Sequence, residues 1–248
     1  MTVIERATNV TTPDGTTEAL LFQPEGDGPW PGVLDLPDIG SIRPASGGMA
    51  RRLAAAGFVV LLPHPFYRVS TVPAFPFERK AGDERTMQRF AELVKPLTPE
   101  ALVRDGIAYL DFLANEPAVA RGPMGVLGYC FGGGMALRLA AARPEQIAAA
   151  ASFHGGNLAT DDPASPHTLL PHVKARLYFG HASDDRSMPK EAIAKLDAAL
   201  AAWGGAYESE TYEGAHHSWT LPDSPVYNEP QAERAFAKLL ELLNATLR

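Results

Sequence analysis

The 248 residues suit one large α/β domain or two small ones, and a hydrophobic share of 46% is enough for a sizeable core. A formal net charge of −7, with no basic cluster to offset it, argues against a nucleic-acid surface. A single cysteine excludes an intramolecular disulfide framework and a multi-cysteine metal site, and a free thiol fits a reducing cytoplasm.

The opening Met1-Thr2-Val3-Ile4-Glu5-Arg6 has no basic stretch followed by an apolar one, so no signal peptide is expected. No uninterrupted apolar run approaches a membrane span. Residues 3–11 and 17–23 read as two strands joined by the turn Thr12-Pro13-Asp14-Gly15. A short buried-strand run covers 31–36. Residues 44–56 are helical, with Met49, Leu53 and Ala56 on one face and Gly57 closing the helix. A strand over 58–62 ends at Pro63. Residues 64–82 form a Pro- and aromatic-rich loop, long enough to suggest a lid. Helices are expected over 83–94 and from Thr98-Pro99-Glu100 to about Asn115, with Pro at the first helical position. Beyond them come a strand from Met124, a helix to Ala142 and a strand over 147–153. A loop over 154–172 leads to a strand over 173–180, a helix over 189–203, a strand over 207–212 and a helix over 230–247. Strands that alternate with helices after an antiparallel start imply a mostly parallel sheet covered on both faces. In such sheets ligands gather beyond the carboxyl ends of the strands.

Three strand ends carry chemistry. The lone cysteine sits in Gly128-Tyr129-Cys130-Phe131-Gly132-Gly133, between a strand and a helix. That is the nucleophile elbow pattern G-x-S-x-G with Cys in place of Ser. The glycines suit a tight strand-to-helix crossing. The helix N-terminus and the Phe131 N–H would favour thiolate and oxyanion alike. Free cysteine is also often a small core residue, so the motif needs partners. His181-Ala182-Ser183-Asp184-Asp185-Arg186-Ser187 follows the 173–180 strand, and Glu213-Gly214-Ala215-His216-His217-Ser218-Trp219 follows the 207–212 strand. Nucleophile, acid and histidine thus appear in α/β-hydrolase order. A thiol needs a base, and the imidazole needs a carboxylate to fix its tautomer. On spacing alone, Asp184 or Asp185 and His216 or His217 could serve. Ser187 is the better cap for the helix near Pro189. His154 and His172 are isolated in loops without metal-ligand spacing and read as structural.

The chain resembles the dienelactone hydrolase family of α/β hydrolases from about Ala19 to Leu243. The resemblance rests on Leu34-Asp35-Leu36-Pro37-Asp38-Ile39-Gly40, Gly57-Phe58-Val59-Val60-Leu61-Leu62-Pro63, the cysteine elbow, Asp185-Arg186-Ser187-Met188-Pro189 and Tyr212-Glu213-Gly214-Ala215-His216-His217-Ser218-Trp219. It implies a single α/β-hydrolase domain over residues 1–248, a monomer, and a cytoplasmic enzyme without metal or organic cofactor. Its partner would be a small ester or lactone, with no nucleic acid or membrane involved.

The resemblance also selects residues. The family acid precedes proline after three residues, which singles out Asp185. The family histidine precedes a small residue and an aromatic, which singles out His217. Asp38 falls where the family places an auxiliary carboxylate, and the Ile39 N–H would complete the oxyanion hole with Phe131. A family arginine four residues after the histidine is here Leu221. Arg85 and Arg89 lie near the place of a second one, without aligning to it. Loss of a bidentate carboxylate clamp points to a neutral or more apolar substrate. Tyr67, Trp219, Phe66, Phe75 and Phe77 are the aromatic candidates for its pocket. Acyl transfer, ligand binding without hydrolysis, and peptide or C–C bond hydrolysis are the other roles this fold and triad could host.

Overall fold

Strand β1 (Val3–Thr12) folds back on β2 (Gly15–Pro24) as a hairpin paired from Val3↔Pro24 to Thr12↔Gly15. In this computed structural model, which describes residues 1–80 and 82–248, the chain divides into two compact units, Met1–Ala120 and Arg121–Arg248.

In the first unit, the hairpin continues into β4 (Val59–Pro63), antiparallel to β2, and β4 pairs in parallel with β3 (Gly32–Leu36). All residues of β3 and β4 are buried, as expected of strands covered on both faces. Between them runs α1 (Pro44–Ala55), with Pro44 in its first turn, where a missing N–H costs nothing. Helix α2 (Glu84–Val94) is capped by the Asp83 carboxylate, which accepts the Thr86 N–H at 2.9 Å. Helix α3 (Pro99–Ala114) is capped by Thr98, which accepts the Ala101 N–H at 3.2 Å. The carboxylate of Asp105 on α3 is fully buried and answered in full. Arg68 grips it with two bonds of 2.6 and 2.9 Å, and the Tyr67 hydroxyl donates at 3.0 Å. A buried charge is tolerated only when paired and hydrogen-bonded in this way.

The second unit is a run of parallel strands in the order β5, β6, β7, β8. These are β5 (Met124–Tyr129), β6 (Ile147–Phe153), β7 (Arg176–Asp184) and β8 (Tyr207–His216). Helices α4 (Phe131–Ala142), α5 (Lys190–Trp203) and α6 (Glu229–Leu247) belong to the same unit. Helix α6 buries Ala232, Ala235, Leu239, Leu242 and Leu243, one side of its cylinder. Each fully buried leucine of this kind contributes about 1.5–3 kcal/mol. Because every pairing here is parallel, the carboxyl ends of all four strands lie at the same edge.

Expected and observed elements agree closely until β7. The expected 173–180 strand is displaced forward to Arg176–Asp184, and β8 runs on to His216. The loop expected over 154–172 contains a 3-10 turn, Pro166–His172. Ser187 does not cap α5, whose capping position is Pro189. Ala81, within the loop expected over 64–82, lies outside the described residues. Among the described residues, no helix is long and apolar enough to cross a membrane.

Candidate active site

Strand β5 delivers Cys130 at its carboxyl end, and α4 starts with the next residue. The turn between them is tight enough to force Cys130 to φ 56° and ψ −121°, a conformation that a non-glycine residue adopts only under constraint. Gly128 is required by the same crossing. A side chain there would run into the backbone of Gly132 and Gly133. One at Gly133 would strike the Ser152 hydroxyl on β6. Phe131 heads α4, directly behind the half-buried thiol.

His217, the first residue beyond β8, places Nε2 3.1 Å from Cys130 Sγ. Its Nδ1–H donates to Asp185 Oδ2 at 2.6 Å, and Asp185 is the first residue beyond β7. The other carboxylate oxygen, Oδ1, accepts two bonds from Ser187: the N–H at 2.8 Å and the hydroxyl at 2.6 Å. Burial alone would strip the proton from His217. The bond to Asp185 and the contact with Cys130 outweigh that effect, and the His217 pKa is pushed up to about 10. Burial likewise works against charge on Asp185, but the His217 partner and the two Ser187 bonds hold its carboxyl below the usual range. The carboxylate on one side of the ring and the sulfur on the other thus both favour its protonated form.

His154, the first residue beyond β6, also belongs here. Its Nδ1 accepts the Cys130 N–H at 3.1 Å, and its Nε2 lies 2.7 Å from Thr220 Oγ1. Its ring meets that of His217 edge-on at 5.2 Å and that of Trp219 at 5.1 Å. The sequence marked His154 as isolated. The available signal was its place at a strand end, shared with residues 130, 185 and 217. Ser187 was read as a cap; it instead donates twice to the Asp185 carboxylate.

The other expected site residues fall differently. Trp219 is wholly buried, its ring packed between those of Tyr212 and His154. Phe66 is equally buried. The Tyr67 hydroxyl is taken up by Thr12 at 2.6 Å and Asp105, with Arg68 over the ring, so it ties the hairpin turn to α3. Arg85 stands exposed over the Phe77 ring, 3.9 Å from its centroid. Arg89 is bound to the Ala74 carbonyl and Glu92. Asp38 and Ile39 follow β3 in the first unit. There, Asp38 accepts from Arg43 at 2.5 Å and from the Gly40 N–H at 3.2 Å. Cys130, Phe131, Asp185 and His217 come together in the second unit. Among the described residues, no group of three His, Cys, Asp or Glu side chains could hold a metal ion.

The profile of the dienelactone hydrolase family matches residues 17–247. The chain belongs to that family. A Synechocystis protein that bears carboxymethylenebutenolidase in its name is 24% identical over 253 residues, spanning 100% of both chains. A Klebsiella pneumoniae structure named after dienelactone hydrolase superposes with a TM-score of 0.87 at 21% identity, covering 98% of this chain and 99% of the other. The dienelactone hydrolase of Anabaena variabilis gives a TM-score of 0.71 at 24% identity over 100% of both chains. The fold is the α/β-hydrolase fold, and family membership makes this chain a hydrolase of ester or lactone bonds.

Proposed function

We propose that this dienelactone hydrolase relative cleaves neutral carboxylic esters or lactones through a thioester on Cys130. The observation that carries the reading is the unbroken sequence Cys130 Sγ, His217, Asp185, with gaps of 3.1 and 2.6 Å. Cys130 sulfur attacks the carbonyl carbon, a C–S bond forms, and the π electrons move to oxygen. The Phe131 N–H, at the head of α4, receives the oxyanion. Collapse breaks the C–O bond, and His217 gives its Nε2 proton to the leaving alkoxide. His217 then takes a proton from water, the hydroxide attacks the thioester, and the thiolate leaves. Asp185 holds the tautomer and supports the imidazolium throughout. No step uses a cofactor.

The substrate class follows from position 221. The family's carboxylate clamp is replaced there by a buried leucine, 3% exposed, which offers no charge to an anionic substrate. Wild type, Cys130→Ala and His217→Ala would be run on short p-nitrophenyl esters, neutral lactones and dienelactone. The proposal expects turnover of neutral substrates by wild type alone. A preference for dienelactone would refute the neutral substrate class. Wild-type activity in Cys130→Ala would refute the mechanism.

A further inference from the structure

His154 stands out because nothing in the proposed steps uses it, yet the structure invests in holding it. It is 1% exposed, and its backbone sits at φ 41°, in the left-handed region that non-glycine residues seldom enter. Its own N–H is anchored to the Gly180 carbonyl of β7 at 2.8 Å. The ring is then fixed at both nitrogens. Nδ1 faces the Cys130 N–H, which can only donate, so Nδ1 carries a lone pair and the proton resides on Nε2. Nε2–H in turn points at the Thr220 hydroxyl.

We propose that His154 is a positioning residue of this site. Its unprotonated Nδ1 holds the backbone N–H of Cys130 and so fixes the thiol against His217. Its uncharged ring fills the space beside His217 that a second cation would otherwise disrupt. The inference rests on the reading of Cys130 as the nucleophile.

The surroundings support both parts. Residues from several elements surround His154. Tyr129 of β5 lies with its ring 5.9 Å away, Cys130 leads into α4, and Trp219 and Thr220 follow β8. The charged groups that face it are His217 and Asp185. Burial, then the neighbouring His217 charge, hold its pKa well below that of an ordinary histidine, against the opposing pull of Asp185. The Cys130 N–H shares a second acceptor, the Phe153 carbonyl at 3.1 Å, so loss of His154 loosens the turn without freeing it.

Three variants test this. His154→Asn keeps an acceptor near the Nδ1 position and tolerates positive φ. His154→Phe keeps the ring and removes both nitrogens. Thr220→Val removes only the hydroxyl partner. Two quantities are read: kcat and KM on a neutral ester, and the pH at which His217 loses its proton, followed by NMR of the imidazole. We expect His154→Phe to lower kcat about thirtyfold with KM within about twofold. The His217 midpoint should fall by about one unit or more from its value of about 10. His154→Asn should recover most of both, and Thr220→Val should shift both in the same direction by less.

A folded His154→Phe with wild-type kcat and a wild-type His217 titration overturns the proposal. Equal loss of kcat in the Asn and Phe variants with an unmoved His217 titration also overturns it, because that is the mark of packing alone. Should His154→Phe not fold, Thr220→Val decides, and an unmoved His217 midpoint there refutes the proposal. The titration needs no substrate, so failure of the ester-hydrolase reading would appear separately, as wild type without turnover.

Discussion

Two His–Asp pairs sit side by side at the ends of β7 and β8, one residue apart, and only one of them touches sulfur. Asp184 and His216 form the last paired rung of the two strands, with His216 Nδ1 3.0 Å from Asp184. Asp185 and His217 are the first residues past that rung, at 2.6 Å. The side chains of the first pair are 74% and 54% exposed; those of the second are 2% and 31% exposed. Successive side chains on a strand point to opposite sides, so one step along the chain carries the pair from solvent to the site. Composition and spacing are identical for the two. Burial, the Ser187 bonds and the contact with Cys130 make the difference, because an exposed pair is screened by water and gains little.

The largest effect that could break this contrast is at His217. His217→Ala should reduce kcat/KM on a neutral ester by about a thousandfold or more, as expected when a base that works with its nucleophile is removed. His216→Ala should stay within about twofold, since exposed surface changes away from the site have small effects. Comparable losses in the two variants would erase the distinction. Asp185→Asn comes next, with a loss of about a hundredfold or more and a fall in the pH at which His217 loses its proton. Asp184→Asn should leave both unchanged. Ser187→Ala should have a smaller effect, about tenfold or less, because it removes one of two bonds to Asp185 Oδ1.

Much of this was legible beforehand, for identifiable reasons. The placement of Cys130, an aspartate pair and a histidine pair at successive strand ends could be read because each follows a recognisable apolar strand run. The glycines around Cys130 could be read because only a tight crossing requires them. His154 and Ser187 were not legible as site residues, since their roles depend on which strand ends become neighbours. The surroundings of the aromatic candidates were illegible for a related reason. Composition shows that Trp219 and Tyr67 are large and amphipathic, but not that one is buried behind His154 or that the other's hydroxyl is bound by Thr12 and Asp105.

Linkage gives the smallest and broadest effects. The folded pKa of His217 is raised, so its stabilisation is complete below the unfolded value of about 6.5 and is lost as the pH rises through about 10. Asp185 is lowered, so its contribution is present above the unfolded value and is lost as the pH falls. His154 is lowered too, and acidification below about 6.5 destabilises the fold through it. Thermal unfolding followed across pH should show a Tm plateau in the neutral range that declines on both sides. In His217→Gln the alkaline decline should be shallower.

The first unit offers a separate titration. Asp35 on β3 is buried with an unpartnered Oδ1, and burial, reinforced by Asp38, pushes its pKa to about 8. Its folded form holds a proton that the unfolded chain releases, so wild type loses stability as pH rises from about 4 to about 8. The Tm of Asp35→Asn minus that of wild type should therefore increase across that range. A difference independent of pH would contradict this assignment.

The most direct test of the central claim is mass spectrometry of the enzyme quenched during turnover of a slowly deacylated ester. The account predicts the acyl mass on the peptide that carries Cys130, absent in Cys130→Ala and accumulating only slowly in His217→Ala. Turnover by wild type with no adduct on Cys130, together with full activity in Cys130→Ala, would contradict it.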